Sequence, residues 1–135
     1  HARFADTHAR VGIMPGWGLS QKLSRIVGLG RAKELSLTGN FLGAEAARDW
    51  GLVNRVVAPD ELLPAAQALA RDIASIDPAM VRGYKRLIDD GYALPFADGL
   101  ALEQQRSKAA NGAVRAEEVE ARRLAVMERG RARGG

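Results

Sequence analysis

Two short β-prone stretches set the tightest limit on what this chain can fold into. Ala2–Asp6 reads as a short strand, and Leu52–Val57, "LVNRVV", is apolar and β-branched, as strands are. Nearly everything else reads as helix. Two isolated short strands do not make a stable sheet by themselves, so the pattern predicts strand partners outside this chain. The chain also starts at His1 rather than Met. Together these features give the expectation of a processed product or a piece of a longer protein.

The helical expectations follow from apolar periodicity. Leu19, Leu23, Ile26 and Val27 mark one face of a helix ending near Gly28–Gly30. A second helix is expected over about Arg31–Leu37, closing at Thr38–Gly39, and a third over Ala44–Trp50. Gly51 follows the third, where a helix end favours a residue able to turn left-handed. From Pro59 onward Leu62, Leu63, Ala66, Leu69, Ala70 and Ile73 repeat at helical spacing. Asp77–Pro78 is a capping pair, an acceptor side chain followed by a residue with no amide hydrogen to satisfy. The helix it opens carries Met80, Val81, Tyr84, Leu87 and Ile88 on one stripe. Another is expected from about Pro95 to Ala110 and a last near Ala116–Arg129, with the tail "RGRARGG" frayed.

Composition narrows the chemistry. The chain has 135 residues, 47% hydrophobic and 27% charged, which suits one globular domain with a modest core. The absence of cysteine excludes disulfides, thiolate nucleophiles and cysteine-ligated metal centres, and it is compatible with a reducing cytoplasm. No apolar run reaches the length of a membrane span, and no signal-peptide layout heads the sequence. A net charge of +4 suits a polyanionic partner, nucleic acid or a phosphorylated cofactor, and equally a solvated basic face.

The loop Pro15–Gly16–Trp17–Gly18 leads directly into the first helix. Proline fixes its own backbone angle, and glycine permits conformations closed to other residues and close approach of a ligand. The free amides and positive dipole end of the helix face this loop, an arrangement that can receive a carbonyl or a phosphate. A tight turn with nothing bound has the same spacing. Trp17, a wide aromatic in a turn, either plugs a core or walls a pocket.

The segment "FADTHARVGIMPGWGLSQKLSRIVGLGRAKELSLTGNFLGAEAARDWGLVNRVV" resembles the middle of the crotonase superfamily, the enoyl-CoA hydratase/isomerase proteins. The family pattern F-x-x-P-E-x-x-x-G-x-x-P-G-x-G is met by Phe4, Gly12, Pro15, Gly16 and Gly18. The following Q-x-L-x-R-x-V-G is met by Gln21, Leu23, Arg25, Val27 and Gly28, and R-A-x-E-x-x-L-T-G by Arg31, Ala32, Glu34, Leu37, Thr38 and Gly39. Ala44, Glu45, Ala46, Gly51, Leu52, Val53 and Val56 continue the match, which covers roughly Phe4–Ile88 well and the helical end in general plan.

The resemblance implies an α/β crotonase-type spiral fold, a superhelix of strand–strand–helix turns. This chain would be its C-terminal half: mostly α-helical, with one or two short strands. Residues 1–58 would finish the core, and residues 59–135 would form a helical region that builds homotrimers or hexamers. It implies an acyl-CoA substrate, with coenzyme A as part of the thioester and neither a separate cofactor nor a metal, and a place in fatty acid metabolism. The two backbone amides that stabilise the thioester oxyanion, and the first catalytic glutamate of the hydratases, come in the family from preceding segments. The resemblance therefore makes the N-terminal half of the same protein a required partner. By resemblance the substrate-binding residues are Pro15, Gly16, Trp17 and Gly18, at the acyl end of the pocket.

One position departs from the pattern. Where the family has the pair P-E, whose glutamate moves a proton at the α or γ carbon, this chain has Thr7–His8. Histidine is itself an acid–base group near neutral pH. Asp6, two residues earlier, falls on the same face of an extended segment and is placed to orient the ring. His8 is thus the candidate catalytic residue; the other reading is a pocket-wall histidine released from catalysis. Among the basic residues, Lys85, Lys108, Arg122, Arg123, Arg129, Arg131 and Arg133 are candidates for the CoA phosphates, though the family's A-F-x-E-K-R signature is missing from "EARRLAVMERGRAR". Two rivals stand beside the enzyme: a non-catalytic acyl-CoA binder or scaffold of the same fold, and a basic helix-turn-helix nucleic-acid module. The module would leave the glycine loop idle and place Ala, Leu and Glu34 where base-reading residues belong, so neither nucleic acid nor a membrane is an expected partner.

Overall fold

The computed structural model describes residues 1–112 and 114–133. The element order is β1 (Arg3–Phe4), α1 (Leu19–Val27), α2 (Leu29–Thr38), β2 (Leu42–Gly43), α3 (Ala44–Asp49), α4 (Leu62–Ala74), α5 (Pro78–Tyr92), α6 (Phe96–Asn111) and α7 (Ala116–Arg133). Among the described residues, no helix is long and apolar enough to cross a membrane. Contacts divide the chain within α4 into two compact units, His1–Ala70 and a second that starts at Arg71.

In the first unit β1 and β2 pair antiparallel, Arg3 opposite Gly43 and Phe4 opposite Leu42. The core beneath them is Leu23, Val27, Ala32, Leu35, Leu42 and Ala47, with Phe4, Leu19, Ala46, Trp50, Leu52 and Val53 packed at its edge. Gly28 joins α1 to α2 at φ +85°, a conformation that suits glycine, so one residue separates the helices rather than three. Ile26, expected on the buried face of α1, is 54% exposed.

The strand expectations need two corrections. The first strand is confined to Arg3–Phe4, because Asp6 turns its carboxylate back onto the amide of His8 and ends the extended run. Leu52–Val57 is not a strand. The amides of Leu52 and Val53 are bonded to the carbonyl of Ala47 at the end of α3, which draws them away from any ladder. The actual partner of β1 is Leu42–Gly43, in "NFLG", a stretch too short to show a period-2 pattern.

The second unit is helical. Asp77 caps α5, accepting from the amides of Ala79 and Met80, both at 2.9 Å. The helices α5 and α6 lie against each other, close enough at Gly99 that an added Cβ would sit 3.3 Å from the Gly91 carbonyl oxygen. Arg106 on α6 pairs with Asp90 on α5 at 2.7 Å. The expected fraying after Arg129 is corrected through Arg133, since α7 continues to that residue, with ion pairs such as Arg123–Glu120 along its length. Gly134 and Gly135 lie outside the described residues.

Candidate functional site

The site is assembled where the chain leaves β1. Asp6 is 5% exposed, and its Oδ1 accepts two hydrogen bonds from His8: the backbone amide at 3.2 Å and ring Nδ1 at 2.7 Å. Burial pulls the Asp6 carboxyl upward, as it does any acid whose anion loses water. Hydrogen bonds from Ser36 and from the His8 ring and amide, with the charge attraction of His8, outweigh it and leave the group below its usual value. The His8 side chain is 36% exposed, and its Nδ1 is held by Asp6. Sequence reasoning brought these two residues together for the wrong local reason. They meet across a turn, not along one face of an extended strand.

His8 leads into a 3-10 turn, Ala9–Val11, closed by Gly12 at φ +74°. That turn is strapped to the end of α2. Arg10 Nε donates to the Thr38 carbonyl at 2.6 Å, and the Arg10 side chain fills the space beside Gly39, within 2.8 Å of where a Cβ would stand. Neither Arg10 nor Ser36 was singled out from the sequence. Their role depends on α2 folding back onto the segment that carries His8, a tertiary fact with no local pattern.

The loop Pro15–Gly18 behaves as a turn that presents its side chains outward. Gly18, at φ +85°, opens α1, and Lys22 one turn later lies back over it. Trp17 is 94% exposed, and nothing stands within 4 Å of the position a Cβ on Gly16 would take. Among the described residues, Pro15–Gly18 shares no hydrogen bond with Asp6 or His8.

The second unit carries its own apolar clefts along α5 and α6. One of about 570 Å³ is lined by Tyr84, Leu87, Tyr92, Phe96 and Leu100, and another of about 800 Å³ reaches Met80, Gly83 and Arg106. Of the basic candidates, Lys85 pairs with Asp89, Arg122 with Glu118 at 3.8 Å, Arg123 with Glu120 at 2.7 Å and Arg129 with Asp72 at 2.9 Å. These partners are on the same unit, so such residues serve the helices first. Lys108 and Arg131 are exposed, and the side chain of Arg133 lies outside the described residues.

Comparison with known proteins gives this geometry its setting. Residues 1–128 match the family described as enoyl-CoA hydratase/isomerase, and the chain belongs to that family. The Arabidopsis thaliana protein named probable enoyl-CoA hydratase 1, peroxisomal, is 47% identical over 108 residues, which are 80% of this chain and 41% of that protein. The crystal structure of enoyl-CoA hydratase from Bacillus anthracis superposes with a TM-score of 0.82 at 33% identity, covering 94% of this chain and 48% of that one. A candidate enoyl-CoA hydratase from Thermobifida fusca, solved with acetoacetyl-CoA, gives a TM-score of 0.77 at 28% identity, covering 84% of this chain and 44% of its own. The crotonase-type fold expected from the sequence is therefore the fold observed. The chain spans less than half the length of each of these relatives.

Proposed function

We propose that the protein is an acyl-CoA-processing enzyme of the enoyl-CoA hydratase/isomerase type, with His8 moving the proton. The observation that carries this reading is the partly exposed ring of His8 held by Asp6, at the position where the motif resemblance puts the family's glutamate. A neutral imidazole can take a proton from water or from a carbon next to the thioester, and the imidazolium so formed can return it. The thioester oxygen that gains charge in between needs donors fixed around it. Those donors belong to segments outside this chain, and the share of the relatives that the chain covers agrees with that.

Coenzyme A enters as part of the substrate, and proton transfer on a thioester calls for no further cofactor. Pro15, Gly16, Trp17 and Gly18 bind the acyl end: a bare aromatic and an open glycine are what an acyl group or an adjoining segment can cover. The uncovered apolar faces of α5 and α6 fit assembly into a homotrimer or hexamer, and the lack of cysteine fits the cytoplasm.

The test is turnover of a 2-enoyl-CoA and a 3-enoyl-CoA by the intact protein and by His8→Ala. The expected loss in kcat is about 10²–10⁴-fold, the usual share of a positioned acid–base group. Unchanged turnover in the variant rejects the role of His8. The replacement of the Pro-Glu pair by Thr7–His8 also favours a second reading, a non-catalytic acyl-CoA binder. Tight binding of both thioesters with no turnover of either would select it.

A further inference from the structure

We propose that Asp6 is a positioning residue that holds His8 with its proton on Nδ1, leaving Nε2 as the atom that exchanges a proton with the thioester substrate. This deepens the catalytic reading of His8 and rests on it. Oδ1 of Asp6 receives both the ring Nδ1 and the backbone amide of His8, at 2.7 and 3.2 Å, so the ring is tied to its own main chain through one oxygen. An ionised carboxylate can only accept, which makes Nδ1 the protonated nitrogen. Among the described residues Nε2 has no hydrogen-bond partner, and the side chain is more than one-third exposed. The lone pair of Nε2 is thus the one available to a substrate.

The carboxylate is well placed to keep its own charge while the ring changes charge. It is 5% exposed, and the hydrogen bonds it accepts hold it ionised. When Nε2 takes a proton, the imidazolium keeps Nδ1–H on Asp6 and gains an ion pair; no proton passes to the carboxylate. Other charged side chains of the surrounding elements are committed elsewhere. Arg3 stacks over Phe41, Arg10 reaches the Thr38 carbonyl, and Arg31 lies over Trp50. On α2, Lys33 and Glu34 make no side-chain interaction with Asp6 or His8. Ser36 acts on Asp6 and not on the ring, which leaves it no role as a nucleophile activated by His8.

Two measurements on the intact protein test this. Long-range ¹H–¹⁵N correlation of the neutral imidazole, assigned by the signals lost in His8→Gln, should show Nδ1 protonated and Nε2 bare. Asp6→Asn should mix the tautomers, since a neutral side-chain amide can donate to Nδ1 as well as accept from it. It should also lower kcat about 10–10³-fold with KM little changed; a lost orienting carboxylate can cost up to about 10⁴. A wild-type ring protonated on Nε2, or an Asp6→Asn variant with an unchanged tautomer, overturns the inference. If Asp6→Asn does not fold, the wild-type spectrum decides alone. The spectrum does not depend on turnover. Full activity in His8→Ala would therefore remove the catalytic reading while leaving the tautomer assignment to stand or fall separately.

Discussion

The first unit hides its apolar side chains and the second shows them. Between Leu23 and Ala47 six residues form a buried cluster, contributed by α1, α2, β2 and α3, and Ala47 is wholly covered. From Arg71 onward no described residue is buried; Tyr84 is 63% exposed, Ile88 59% and Phe96 82%. The first unit therefore owes its shape to contacts between residues distant in sequence. The second leans more on local terms, the Asp77 cap, hydrogen bonds within each helix and ion pairs one turn apart, beside the contact of α5 with α6 and the exposed pairs Arg106–Asp90 and Arg129–Asp72. Such terms are individually small, and the apolar area of α5 and α6 that remains uncovered is stabilisation not yet collected. A precisely held side chain such as His8 belongs in the first kind of environment, where Asp6 is buried and α2 is strapped across by Arg10.

The sharpest way to break this contrast is to truncate one apolar residue in each unit. Leu23→Ala should cost about 2–5 kcal/mol of unfolding free energy, the range for a buried leucine replaced by alanine. Tyr84→Ala, on an exposed face, should stay within about 0.5 kcal/mol in dilute chain. Denaturant unfolding, read by hydrogen exchange in α2 and in α5, separates the two. Equal losses would mean that the two units are not differently packed. A loss at Tyr84 that appears only as protein concentration rises would instead show its face being covered by another copy.

A glycine-to-alanine pair sharpens the contrast by sign. Gly39 holds φ +63°, and the Arg10 side chain already occupies the place of a Cβ. Gly39→Ala should cost about 1–3 kcal/mol, as left-handed backbone does for other residues, and it should loosen the turn that follows His8. Gly83, within α5, has open space on its free side. Gly83→Ala should stabilise by up to about 1 kcal/mol, the difference in helix propensity. Thermal melts of both variants check this, and two changes of the same sign would contradict the local picture of α5.

What the sequence made legible follows the same division. Helices of the second unit were readable almost to their ends because their determinants are local: Asp77–Pro78 opens α5 as expected, and Met80, Tyr84, Leu87 and Ile88 mark its apolar stripe. Motif residues such as Gly18, Gly28 and Gly39 were legible too, each sitting at positive φ where the chain turns. The strands were not. "LVNRVV" has strand composition, yet its first two amides are taken by Ala47, while the two-residue β2 has no composition to read. In the site, Asp6 and His8 could be named because they are neighbours. Ser36 and Arg10 could not, because their places are set by how α2 folds back across the turn.

The smallest expected effect concerns Arg106 and Asp90, the ion pair that joins α6 to α5 at 2.7 Å. Both side chains remain well exposed, 39% and 53%, so water screens their attraction and each loses rotamer freedom in making it. A double-mutant cycle with Arg106→Ala and Asp90→Ala should return a coupling of about 0.2–1 kcal/mol, shrinking further as salt is raised toward 1 M. If the coupling were several kcal/mol and insensitive to salt, α5 and α6 would be held by a desolvated pair, and the second unit would have a packed interior of its own after all. A coupling within the expected range leaves its apolar clefts as the main reserve of stability, to be drawn on only when something covers them.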